Sequence, residues 1–268
     1  MTAPPPRIHV IPAIGCAKAL VLRRGPKAQV ASLLWDRKTG TLELGQWLKG
    51  RIYEHRCDLS PDGQYMVIFA CNQSATTAWT AISRAPWLTA LAFWPQSATW
   101  QGGGAFDAKG RFWLNGGDAR QEKLPDGLRA AQVQAYPHGT DGFHMGDTYA
   151  AMQVARGWDH VSGTRYDSIL TRPLPDGRML ELRFSLMQED RSLISNRYAV
   201  LDGTERIVQP DWEWSDVHDG RLHAATNGKL IDVDLSDPAA FAANVLHDLT
   251  PLRFEPRQAP YTGISEAR

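Results

Sequence analysis

Arg56-Cys57-Asp58-Leu59-Ser60-Pro61-Asp62-Gly63-Gln64-Tyr65-Met66-Val67-Ile68-Phe69-Ala70 joins a short strand, a tight turn and a run of aromatic and β-branched residues. Pro61 presets φ, Asp62 tolerates turn geometry and Gly63 supplies a positive φ without a steric penalty. Tyr65 to Phe69 is strongly β-prone. The stretch therefore predicts a hairpin, and related stretches recur down the chain.

The recurrences are Gly104-Ala-Phe-Asp-Ala-Lys-Gly110-Arg-Phe-Trp-Leu114, Leu174-Pro-Asp-Gly177-Arg-Met-Leu-Glu-Leu-Arg-Phe184 and Val217-His-Asp-Gly220-Arg-Leu-His-Ala224. Each has a polar turn ending in Gly, then Arg or Gln, then a bulky apolar residue. Gly63 and Gly110 are 47 residues apart, and Gly177 and Gly220 are 43 apart. Such periods suit the four-stranded blades of a propeller. The 67-residue interval from Gly110 to Gly177 implies an insertion, placed at about residues 115–147. The expectation is an all-β chain forming a single β-propeller domain of about five four-stranded antiparallel blades, near residues 17–55, 56–100, 104–157, 158–211 and 212–255. An N-terminal strand around Ile8 to Val10 is expected to pair with the last unit and close the ring. Asn227-Gly228 is a two-residue hairpin signal, and Ser236 to Asn244 reads as a helical turn with Pro238 just inside it.

The turn Asp58 to Gly63 resembles the repeats of WD40-like and TolB-type propellers. The blocks Gly45 to Tyr53, Trp79 to Pro95 with Trp100 to Gly104, and Pro251 to Pro256 resemble a group of uncharacterised bacterial propeller-type proteins. The resemblance implies the fold and assigns no catalytic residue.

Composition narrows the partners. Lys+Arg and Asp+Glu both number 29, so no net charge steers the protein to nucleic acid or an anionic membrane. The first residues lack the basic and apolar regions of a secretory leader, and no apolar run approaches a membrane span. A cytoplasmic location is expected. Cys16, Cys57 and Cys71 are odd in number and lack CxxC spacing, which fits reduced, buried thiols better than a disulfide frame or a zinc site.

Three groups of residues are candidates for chemistry. His138, Asp141, His144 and Asp147 are the imidazole and carboxylate types that ligate a divalent metal, set against the reading that they form a Gly/Asp-rich surface loop. Trp212 and Trp214 would point to one face of a strand, and an exposed pair would offer a platform to a peptide or sugar; Trp87, beside Pro86, is the third aromatic candidate. Against these stands ordinary core packing, which suits most of the ten Trp. The chain contains no nucleophile elbow, no P-loop and no H-E-x-x-H helix, so no cofactor is predicted beyond the metal alternative. The leading reading is a non-catalytic scaffold or recognition module that engages a protein or peptide through loops on one propeller face. Its rival is a hydrolase or lyase with a channel-lining site, with or without the help of a divalent metal.

Overall fold

The computed structural model describes residues 4–72, 77–97, 99, 101–131, 144–186, 194–236 and 241–261. The chain is all-β, with the blade-by-blade organisation of a five-bladed β-propeller. Five sheets follow one another along the sequence, and nearly all pairings are antiparallel.

The first sheet is β1 (Arg7–Pro12), β2 (Lys18–Arg24), β3 (Gln29–Asp36) and β4 (Leu42–Lys49), paired in that order. In the second, β5 (Arg51–Ile52) and β6 (Asp58–Leu59) both pair with β7 (Tyr65–Cys71), followed by β8 (Ala78–Arg84) and β9 (Ala90–Gln96). The third is β10 (Gly104–Phe106), β11 (Arg111–Leu114) and β12 (Arg129–Ala130). The fourth has five strands, β13 (Asp159–Gly163), β14 (Asp167–Pro173), β15 (Met179–Leu186), β16 (Ile194–Asp202) and β17 (Glu205–Gln209). The fifth has β18 (Trp214–His218), β19 (Arg221–Thr226), β20 (Lys229–Val233) and β21 (Ala243–Asp248).

Two compact units result. One comprises Met1–Pro4, Val10–Phe143 and Leu252–Arg268, and the other Pro5–His9 and His144–Pro251. In the first unit the opening stretch is the heart of the core. All seven residues of β7 are buried, and its backbone bonds β5 and β6 on one side and β8 on the other. The buried Asp58 carboxylate accepts from the Leu59 N–H at 2.8 Å and the Phe106 N–H at 2.7 Å, tying the second sheet to the third. Burial pushes the Cys57 thiol well up, which keeps it neutral and inert. In the second unit the core gathers Tyr149, Trp158, Leu170, Leu182, Phe184 and Tyr198.

The recurring turn is built as its residues dictate. Gly63, Gly110 and Gly177 each donate N–H to the carbonyl three residues earlier, at 2.8, 2.9 and 3.1 Å, and all have positive φ, as does Gly220. Asp62, Asp107 and Asp176 accept from the following backbone N–H groups at 2.9 to 3.0 Å, a local bond that competes with continued strand and fixes the turn. Asn227 and Gly228 both have positive φ, as a type I′ hairpin requires.

Three expectations are corrected. β1 pairs with β2 in the first sheet, while the fifth sheet consists of β18 to β21; the Ile8 N–H instead donates to the Glu213 carboxylate at 2.6 Å. The third sheet has three described strands, and β12 runs parallel to β11. The segment read as a loop up to Asp147 enters an α-helix, α1 (Met145–Ala155). Its buried face is Gly146, Thr148, Tyr149 and Met152, and a stripe half made of glycine and threonine leaves no hydrophobic period for sequence reading to detect. Of the helical turn expected over Ser236 to Asn244, residues 237–240 lie outside those described, and Ala243 and Asn244 instead open β21.

Candidate functional site

In the first unit, residues 252–261 run across β4 and the turn 84–89. The site begins with a β-bulge. Ala31 pairs with Trp47 and Leu33 with Leu44, so Gly45 and Gln46 together face Ser32. A β-carbon at Gly45 would lie 2.0 Å from the Pro86 carbonyl oxygen, so only glycine lets β4 approach the turn. The Ser32 hydroxyl donates to that same carbonyl at 2.6 Å.

The bulge aims Gln46 along the turn. Its Oε1 accepts from the Leu88 N–H at 2.7 Å, the Thr89 N–H at 2.9 Å and the Thr89 hydroxyl at 3.1 Å. Its Nε2 donates to the Arg257 carbonyl at 2.8 Å, which makes one amide the joint between β4, the turn and the crossing segment. Arg257 reaches back to the Leu44 and Gly45 carbonyls and lays its guanidinium 5.3 Å from the Trp87 ring centroid. Lys49 sits 4.6 Å from the Phe254 ring, which also packs against Trp47 at 6.0 Å. Arg84 sits 6.0 Å from the Tyr261 ring; the Tyr261 hydroxyl donates to the Thr89 carbonyl at 2.8 Å and accepts from the Arg84 N–H at 3.2 Å. Burial pushes the Tyr261 phenol up to about 12, against the bond and charge of Arg84. Arg23, itself buried, anchors the start of the segment by donating to the Leu252 carbonyl at 3.1 Å. Its burial and the neighbouring Arg253 charge lower its pKa.

The segment itself is not strand, and of its ten residues only Ala259, 9% exposed, is buried. It is an extended peptide held by side chains.

A second polar site lies in the other unit. Asp216, His223, Asp232 and Asn244 are consecutive cross-strand partners on β18 to β21. Asp216 and His223 are 2% and 1% exposed. Arg172 donates to Asp216 at 2.5 Å, His223 Nε2 lies 4.0 Å from Asp232 Oδ1, and Arg221 pairs with the other oxygen of Asp232. Asp232 and Arg221 open into a cleft of about 410 Å³, also lined by Asp176, Asp234 and Asn244. Burial raises the Asp176 carboxyl, but hydrogen bonds from Arg178 outweigh it and hold the group below its usual range. Asp216 and Asp232 each have a cationic or imidazole neighbour, and at 4.0 Å His223 Nε2 and Asp232 stand beyond hydrogen-bond distance.

The predicted site residues are scattered. His144 caps α1, its Nδ1 accepting from the Gly146 N–H at 3.3 Å, and its ring meets Tyr166 edge-on. Asp147 pairs with Arg165 at 3.1 Å. His138 and Asp141 lie outside the described residues, and among those described no group of three or more metal-ligating side chains gathers. Trp212 and Trp214 form no exposed platform: they are 8% and 6% exposed, and Trp212 packs into the core with Phe241 edge-on. Trp87 sits half-buried under Arg257. Gln46, Arg84 and Arg257 were missed, since no spacing links residues 211 positions apart.

No family model matches the chain, and no curated protein matches it. Among solved structures the chain is similar to the uncharacterised protein lmo1340 of Listeria monocytogenes, at 10% identity and a TM-score of 0.32, with 85% of this chain and 62% of that one covered. It is also similar to hydrazine synthase of Kuenenia stuttgartiensis, at 10% identity and a TM-score of 0.34, covering 89% and 79%. A third is the β-propeller domain of the trilobed protease of Pyrococcus furiosus, at 10% identity and a TM-score of 0.29, covering 86% and 84%.

Proposed function

We propose that the protein is a non-catalytic recognition module of the cytosol that engages a protein or peptide. The observation behind this reading is the seat of residues 252–261: a non-strand segment laid on β4 and the turn 84–89 and gripped by rings, guanidinium groups and one glutamine amide. Surfaces enriched in Trp, Tyr and Arg are those that bind peptides tightly. The cytosolic placement rests on three free cysteines, two of them buried. Among the described residues, no helix is long and apolar enough to cross a membrane.

The rival, a hydrolase or lyase, draws support from the Asp216–His223–Asp232 row beside its cleft. One paired experiment separates the two. The purified protein is presented with a displayed library of short peptides and, in parallel, with ester, peptide and glycoside substrates. Saturable enrichment of peptides without turnover is expected. Turnover that disappears in His223→Ala, with no peptide enriched, would replace recognition by catalysis.

A further inference from the structure

The contacts of residues 252–261 follow a reciprocal pattern. Where the supporting surface offers a cation, Lys49 or Arg84, the segment offers a ring, Phe254 or Tyr261; the Trp87 ring meets the guanidinium of Arg257, while Trp47 adds a ring-on-ring contact to Phe254. The spacing on the segment is aromatic, then Arg three residues on, then aromatic four residues further. We infer that this surface is a peptide groove filled in cis by residues 252–261, and that its partner is an extended foreign segment of the same chemistry, aromatic–x2–Arg–x3–aromatic. The inference rests on the recognition reading above and names the partner class for it.

Three physical features make the occupant exchangeable. The segment adds no strand to the edge of β4, so its release breaks no ladder. Its backbone is recognised at the Leu252 and Arg257 carbonyls, by Arg23 and Gln46, groups any extended peptide presents. Its guanidinium is exposed and its two rings are half-buried, and each such cation–π contact is worth about 0.5–1 kcal/mol, so no single contact locks it. A tethered segment competes at an effective concentration in the millimolar range. A foreign peptide is therefore masked in the intact protein until the tether is weakened.

The test uses the full chain and a fluorescein-labelled peptide of the sequence Leu252 to Tyr261, followed by fluorescence anisotropy. Wild type is compared with Phe254→Ala/Arg257→Ala/Tyr261→Ala, which keeps the groove and weakens the strap. The triple variant is expected to bind the probe at least tenfold more tightly than wild type. Adding Gln46→Ala and Trp87→Ala should abolish that binding, and a probe with Glu in place of Arg257 should not bind. Arg257→Glu alone provides a second, milder release. Failure of both folded variants to bind the probe, or equal binding by wild type, would overturn the proposal, as would variants that no longer fold. A dimer that exchanges the segment and excludes the probe would make a second copy the occupant, against the inference. Peptide enrichment that survives Gln46→Ala and Trp87→Ala would keep the recognition reading and sink this groove.

Discussion

Strand β7 and residues 252–261 are both extended and both belong to the first unit, yet they are held in opposite ways. β7 is buried along its whole length and bonded through its backbone on both sides. The crossing segment has one buried residue and is held by side chains through cation–π contacts and the Gln46 amide. Burial and ladder bonds are cooperative and indifferent to sequence detail beyond size and pattern; side-chain grips are local and depend on chemical identity. The first kind of attachment makes a fold, and the second is the feature on which the proposed recognition role rests.

The sharpest blow to the β7 side of this contrast is Asp58→Ala, which strips the Leu59 and Phe106 N–H groups of a buried charged acceptor. A loss of about 3 kcal/mol is expected in urea unfolding. Next is Gly63→Val, where φ is +69° and a β-carbon would lie 2.8 Å from the Lys18 side chain. It should cost about 2 kcal/mol more than Gln64→Val beside it. Equal midpoints for the two would remove the turn from the account of the fold.

A smaller effect is expected at Glu181 in the second unit. Burial raises its carboxyl, but hydrogen bonds from Arg183 and Arg206 outweigh that and hold it below its ordinary value. A depressed folded-state pKa contributes stability above the unfolded value, near 4.3, and loses it as pH falls through the folded one. Glu181→Gln should therefore cost about 1 kcal/mol at neutral pH, the partners being half-open to solvent. Melting curves of mutant and wild type should converge as pH falls through that depressed folded-state value. Smallest is Arg257→Ala, which should lower stability by less than about 1 kcal/mol because the strap is peripheral to the core. A loss as large as that of Asp58→Ala would erase the distinction between core and strap.

What was legible in the sequence follows the same line. The Asp–Gly turns could be read because one residue's φ is a local demand, met at Gly63, Gly110, Gly177 and Gly220 alike. Five β-units followed from their spacing. α1 was illegible because it buries Gly146 and Thr148, and β12 because a two-residue parallel strand has no pattern of its own. Strand alternation placed Trp212 and Trp214 together without saying that they lie in the core, and Trp212 in fact precedes β18. The strap site had no signal of its own, and Arg257 and Tyr261 lie beyond the block Pro251 to Pro256. Its convergence depends on a bulge at Gly45–Gln46 and on contacts between residues some 170 to 210 positions apart, which no local rule encodes.

Native-state proteolysis tests the contrast most directly. Arg253 and Arg257 are exposed side chains, but a protease must bind several residues of backbone around the cut, which release of the segment from β4 and the turn 84–89 provides. A local opening makes the cleavage rate independent of global stability. Cleavage there should proceed at the same rate in wild type and in Gly63→Val, with the trimmed protein still unfolding cooperatively. Cleavage that accelerates in step with the loss of global stability in Gly63→Val would show that the segment is part of the fold, and would contradict the claim that it is a bound peptide.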